Sequence, residues 1–406
     1  MNILWLKTEL LHPVDKGGKI RTYQMLKELK QDHHVTYLTL DDGTSPAEAT
    51  ESALEYCHKL IKVPHQTVPK FSLKFYGELF SNLFSALPYA VKKYDSAAMR
   101  QALVEQVATG NFDVFVCDFL APASNVPNVL QCPAVLFQHN VEAMIWQRHY
   151  TVQGNSLKRT YLKNQWQKMY SFERDMCRRF DVVASVSEND TKVMKREYGV
   201  ENVFDVPTGV DIDFFRPDPS IKPRPNSLVF TGSMDWLPNE DAIRYFTGEI
   251  MPLIKQQVPD VILTVVGRDP YPGLLELSKK DPSVIVTGRV EDVRPYIDGA
   301  AAYIVPLRIG GGTRIKIYEA MAMEKPVIST SIGAEGLPLV DGKEIILADT
   351  ASDFASAVID VLKNPTRAGA LGEEAASSVR EKFAWKNAAD EFAAICERAI
   401  NRRDAE

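Results

Sequence analysis

No CxxC pair, no low-complexity tract and no long apolar run occurs in this sequence. The five cysteines (Cys57, Cys117, Cys132, Cys177 and Cys396) are odd in number and widely spaced. That argues against a disulfide framework or a thiolate metal site and fits a reducing compartment. Cys117 and Cys132 lie in or beside apolar runs and read as core fillers. No stretch approaches the ~20 apolar residues of a membrane span. The opening MNILWL is too short for a signal peptide and reads as a strand, so the expected location is cytoplasmic. Seven histidines, including the His33-His34 pair, show no ligand spacing. Basic charge is also short. The net charge is −6, with +1 in residues 1–210 and −7 in the remainder, which argues against nucleic-acid binding. An anionic surface would meet the first half. No Ser/His/Asp or Cys/His set stands out, and Gly17-Gly18 lacks the G-x-G-x-x-G of a dinucleotide site.

What is present is a repeated βα pattern. Apolar strands are expected at 3–6, 35–40, 60–63, 112–117, 134–137 and 182–186, with helices at 19–31, 48–58, 157–179 and 188–198. Residues 211–226 carry four prolines and read as an interdomain linker. The plan then repeats, with strands at 228–230, 261–266, 284–286, 302–305 and 345–347. Helices are expected at 239–257, 352–362, 367–383 and 385–402. Apolar strands joined by helices predict parallel sheets covered on both faces, in an α/β fold of two domains. Ligands in such sheets bind beyond the carboxyl ends of the strands. Gly17-Gly18, Asp118, His139, Thr231-Gly232-Ser233, Gly267-Arg268, Gly288-Arg289 and Gly310–Gly312 all follow strand ends, which makes them candidates.

One stretch carries the most chemistry: LRIGGGTRIKIYEAMAMEKPVISTSIGAEGL, residues 307–337. Gly310, Gly311 and Gly312 leave backbone amides free to turn toward a ligand, and Thr313 can cap the helix that follows. Arg314 and Lys316 stand in the first turn, where the helix dipole disfavours cations unless an anion is bound there. Glu319, among apolar neighbours, needs polar partners, and ribose hydroxyls would serve. A Lys316–Glu319 pair on a partly exposed helix is the simpler alternative.

These residues resemble the retaining GT-B glycosyltransferases of family four, nearly end to end. The resemblance rests on residues 310–337, on TGSMDWLPNEDAI (231–243), on PTGVDIDFFRP (207–217) and on DKGGKIRTYQMLKEL (15–29). It is nearest to the bacterial exopolysaccharide and exosortase-associated branch. It implies two Rossmann-like doubly wound domains facing a central cleft: 1–215 on the acceptor side and 222–384 for the nucleotide-sugar. Residues 385–406 would pack back on the first domain. By the same resemblance Glu319 holds the ribose, Arg314 and Lys316 lie at the donor diphosphate, and the Gly17-Gly18 amides approach the phosphate. His139 contacts the donor sugar, and Gly288, Arg289 and Val290 line the base pocket with Gly232 and Ser233 nearby. The implied activity is transfer of a sugar, with retention, from a nucleoside-diphosphate sugar to a glycan or lipid-linked acceptor, without a metal or other cofactor.

The chain departs from that pattern. Gly311 stands where the family places a glutamate, and Ser233 with Pro238 or Asn239 replaces a basic pair, so Arg314 and Lys316 are expected to supply the missing charge. These losses keep open a nucleotide-sugar-binding partner without catalysis and, less so, a nucleotide-sugar epimerase. Asp211-Ile212-Asp213 is read as a turn rather than a metal motif. The aromatics Phe71, Phe75, Phe80, Phe84 and Tyr89, with the lysines around them and the basic 157–179 helix, allow two readings. One is contact with an anionic membrane, peripheral at the inner face. The other, favoured here, is a core-facing stripe beside a solvated basic face.

Overall fold

The computed structural model describes residues 1–14, 17–309 and 314–404. Contacts divide the chain into two compact units, Met1–Pro207 with Trp385–Glu406, and Thr208–Ala384. The chain therefore leaves the first unit upstream of the proline-rich stretch. That stretch packs on the second unit: Val210 N–H donates to Phe383 O (2.7 Å), Asp218 N–H to Asp298 Oδ2 (2.8 Å) and Arg224 N–H to Gly299 O (2.9 Å). Asp211 Oδ1 accepts from Phe214 N–H at 2.9 Å, as in a turn.

In the first unit seven strands form one parallel sheet: β1 (Asn2–Lys7), β2 (His34–Asp41), β3 (Lys59–Pro64), β4 (Val114–Asp118), β5 (Ala134–Phe137), β6 (Val182–Ser185) and β7 (Val203–Asp205). Their order is β3-β2-β1-β4-β5-β6-β7. Strand alternation sends side chains to two apolar layers. Ile3, Trp5, Tyr37, Val116, Val135 and Phe137 face the helices Gly17–Asp32 and Trp385–Asp404, with Phe392 against Trp5 and Phe137. Leu4, Leu6, Leu38, Phe115, Cys117 and Leu136 face the opposite layer, which includes the Ala97–Thr109, Ser156–Arg179 and Glu188–Tyr198 helices. All five cysteines are buried and free.

Among its described residues the second unit has six strands: β8 (Ser227–Thr231), β9 (Ile262–Val266), β10 (Val284–Gly288), β11 (Ala302–Val305), β12 (Val327–Ser329) and β13 (Ile346–Leu347). They are ordered β10-β9-β8-β11-β12-β13 and paired in parallel. The expected continuous helix over 239–257 is instead Leu237–Tyr245, a π-turn Phe246–Ile250 and Met251–Lys255. Pro252 has no N–H to return to Gly248, and the wider turn accommodates that loss. The helix expected over 48–58 ends early, as Glu48–Glu51 with a 3₁₀ turn Ser52–Glu55. The aromatic stripe expected to face the core does so only in part: Phe75 and Tyr89 are half-buried, while Phe71, Phe80 and Phe84 are exposed.

Each sheet reverses its winding once, between β1 and β4 and between β8 and β11. A crevice opens at such a reversal, and each holds a lysine, buried at Lys7 and part-buried at Lys316.

Candidate functional site

In the second unit that lysine is Lys316. The Ile315–Ala322 helix follows β11, with Arg314 at its cap position. Lys316 does not project from the helix end. Its Nζ crosses the reversal to β8, donating to Thr231 O (2.9 Å) and to Asn239 Oδ1 (3.1 Å), and it lies 4.1 Å from the centre of the Phe230 ring. Burial brings its pKa down to about 7, with Arg314 adding to the effect and Glu319 opposing it. Glu319, one turn on, is pushed up to about 7 by burial, partly offset by Lys316. The two charges feel each other without closing an ion pair. Arg314 is buried, which lowers its pKa, and its guanidinium lies 5.5 Å from the Trp236 ring centre.

The ends of β8, β9 and β10 make a ledge of bare backbone beside Lys316. A Cβ on Gly232 would sit 2.7 Å from Asn239 Nδ2 and 3.1 Å from Lys316 Nζ. One on Gly267 would lie 1.8 Å from Gly232 O. Gly267 N–H donates to Gly288 O (3.2 Å), and Gly288 has φ +70°, a region natural to glycine. Ser233 is held by Arg268, whose Nε donates to its Oγ at 2.7 Å, while its hydroxyl bonds Asp235. Arg289 is exposed and Val290 packs against the core beside Gly288. The structure thus brings Gly232, Ser233 and Lys316 together, with Gly288 one strand beyond Gly267. Gly310, Gly311, Gly312 and Thr313 lie outside the described residues. The sequence reading missed Asn239 as the acceptor that fixes Lys316. Its signal was present: an amide standing where the family resemblance implies a base.

The first unit's crevice is built on Asp118, at the end of β4. Its Oδ1 bonds His139 Nε2 at 2.7 Å. Its Oδ2 accepts from Thr22 Oγ1 (2.7 Å), Lys7 Nζ (2.9 Å) and Trp5 Nε1 (3.1 Å). Lys7 also donates to Thr22 Oγ1 at 2.9 Å. Burial alone would raise the Asp118 carboxyl, yet Lys7, His139 and the hydrogen bonds hold it well below the usual carboxylate range. Burial lowers Lys7 against the pull of Asp118. The same burial brings His139 down to about 4, again against Asp118. An ionised carboxylate can only accept, so the neutral imidazole carries its proton on Nε2. Phe119, at φ +74°, stacks on the His139 ring with centroids 3.8 Å apart. A Cβ on Gly18 would meet the Phe119 ring at 2.7 Å, whereas one on Gly17 would meet nothing within 4 Å. Glycine at position 18 lets the start of the Gly17–Asp32 helix close over Phe119. Lys7, Thr22 and Trp5 were not anticipated, although a lysine closing an apolar strand is a visible oddity.

His139 gives a stability prediction. Between pH 6.5 and about 4 the unfolded chain binds a proton at this ring that the folded chain refuses, so stability falls on acidification through that window. Wild type should lose roughly 3 kcal/mol more than His139→Gln between those limits. Urea unfolding at several pH values measures this, and parallel curves would contradict it.

Two doubly wound α/β units, each with a lysine at its winding reversal, define a two-domain α/β protein with a crevice at the strand ends of each sheet. The comparisons with known proteins specify it. Residues 16–214 match the family model "Glycosyltransferase Family 4", and residues 225–364 match "Glycosyl transferases group 1". An uncharacterised 44.6 kDa protein in the cps region of Klebsiella pneumoniae is 22% identical over 94% of this chain and 96% of its own length. A GDP-mannose-dependent alpha-(1-6)-phosphatidylinositol monomannoside mannosyltransferase of Mycolicibacterium smegmatis is 26% identical over 55% of this chain and 63% of its own. The crystal structure of Anabaena Alr3699/HepE with UDP superposes with a TM-score of 0.65, covering 97% of this chain and 98% of that one at 13% identity. The chain is a glycosyltransferase of the GT-B fold.

Proposed function

We propose that the chain moves a hexosyl group from a nucleoside-diphosphate sugar to a glycan or lipid-linked acceptor, with retention of configuration, in bacterial cell-surface polysaccharide synthesis. The observation that carries this reading is Lys316, delivered across the second unit's winding reversal to the end of β8. There it stands beside the Gly232 backbone and Asn239, one of the positions where the family resemblance implies a basic pair. Glu319, one turn along, is suited to ribose hydroxyls. The relatives' names, one a mannosyltransferase and one from a cps region, point the same way.

The chemistry is electrostatic. As the glycosidic bond breaks, negative charge grows on the leaving diphosphate, and Lys316 and Arg314 stabilise it most in the transition state. An oxygen of the leaving phosphate takes the acceptor hydroxyl's proton on the same face, so no separate protein base is required. His139, neutral and fixed by Asp118, offers the donor sugar a hydrogen-bonding ring without a charge.

A thermal-shift screen of UDP, GDP and ADP tests the reading, because a bound ligand raises apparent stability by mass action. The matching diphosphate should show a pH signature. Free Lys316 titrates near 7, and a bound diphosphate favours its charged form. Affinity should therefore fall as pH rises above 7, by up to about tenfold per unit. Isothermal titration in two buffers should register proton uptake on binding. No stabilisation by any nucleoside diphosphate would sink the assignment.

A further inference from the structure

The Leu73–Asn82 helix of the first unit carries large apolar side chains on its outward face as well as its inward one. Its inward positions hold Phe75, Glu78, Leu79 and Asn82, and the polar ones among them are satisfied. Glu78 Oε2 accepts from Tyr89 OH (3.0 Å), Asn82 Nδ2 donates to Leu87 O (2.9 Å) and Asn82 Oδ1 accepts from Gln165 Nε2 (2.9 Å). Its outward positions include three large apolar side chains beside Lys74, Gly77 and Ser81. Leu73 is 92% exposed, Tyr76 55% and Phe80 67%, and the flanking Phe71 and Phe84 are 78% and 83% exposed. Phe71 is held at φ +67°, uncommon for a bulky side chain. Scattered apolar residues on a surface need no explanation, but five large ones on a single short segment do.

The surroundings say what covers them. Lys70 and Lys74 lie exposed in the same segment. The Ser156–Arg179 helix is pinned to its end by Gln165 and by Lys168, whose Nζ donates to Leu83 O (3.1 Å). That helix begins with exposed Leu157, Lys158, Arg159 and Lys163, within about 15 Å of the pin along its axis. No carboxylate occurs between Ser156 and Phe172. Aromatic and aliphatic tips ringed by lysine and arginine, on a chain of net charge −6, match an anionic lipid surface. A second copy of the chain fits poorly. A twofold contact would set these cations against themselves.

We propose that residues 71–84, with the start of the Ser156–Arg179 helix, dock the first unit on an anionic bilayer. The rings enter the headgroup region and the cations meet lipid phosphates. No described helix is long and apolar enough to cross a membrane, so this contact is with the surface alone. It goes beyond the transferase reading and needs neither donor nor acceptor, so each can fail without the other.

Flotation of the full chain with phosphatidylcholine vesicles, with and without phosphatidylglycerol, tests it. Wild type should bind only the phosphatidylglycerol vesicles, and high salt should release it. The triple variant Phe71→Ser, Phe80→Ser, Phe84→Ser should bind at least about tenfold more weakly, with an unchanged circular dichroism spectrum because these rings lie outside the core. Should that variant misfold, Lys158→Glu with Arg159→Glu provides the same test through charge. Wild type that ignores anionic vesicles, or serine variants that bind as wild type, would overturn the proposal. So would a concentration-dependent dimer that the serine variant dissolves while vesicles go unbound.

Discussion

Replacing Lys316 with methionine will lower sugar transfer by about 10²–10³-fold, the usual loss when one group stabilising transition-state charge is removed. The fold will survive. Methionine keeps much of the length and apolar stem, and it removes a cation that the folded chain holds at a cost. With its pKa down from 10.5 to about 7, the folded lysine binds its proton less well than the unfolded one. Stability therefore rises with pH between those values, and the full penalty of the buried charge applies below 7. The variant forfeits the bonds to Thr231 O and Asn239 Oδ1 but escapes that penalty, leaving a small net change. Steady-state turnover with the matching nucleotide-sugar, beside a thermal melt, separates the two effects. Lost turnover with a normal melt supports the role, and wild-type turnover refutes it. The loss should appear mainly in kcat, because the charge on the diphosphate grows as the bond breaks.

The sheets were legible in the sequence because buried parallel strands are short continuous apolar runs bounded by turn residues. β1, β2, β5 and β11 stand where those runs fall. β7 was not foreseen, since Val203–Asp205 is a three-residue edge strand with little apolar length to show. The Leu73–Asn82 helix was misread in part because its large apolar side chains stand on the outward face as well as the inward one; periodicity reports amphipathicity, not which side is covered. At the candidate site the residue types were visible and their directions were not. Lys316 looked like a cation at a helix terminus. Its actual reach, to β8 and Asn239, depends on β8 and β11 being neighbours, some seventy residues apart in sequence.

The network under His139 was hidden for the same reason, and it supports the second large effect. Asp118→Ala should destabilise the first unit by about 3–5 kcal/mol, the range for breaking a buried ion pair from one side. The carboxylate receives Lys7, Thr22, Trp5 and His139 at once, and its removal leaves a buried ammonium unpaired. Because the Asp118 pKa is depressed, its contribution is complete above the ordinary carboxylate range and is lost only as pH falls through the lowered value. The deficit should thus be full at pH 7. Lys7→Met alone should be harmful too, since it strips the carboxylate of its main counter-charge. The double variant Lys7→Met, Asp118→Ala should recover much of the loss, because both desolvated charges are then gone. Chemical denaturation of wild type, the two single variants and the double variant closes the cycle. Additive losses would mean that the lysine and the aspartate stabilise the crevice independently. A strongly favourable coupling would make them one unit, which holds His139 in place at the winding reversal while burial keeps the ring neutral.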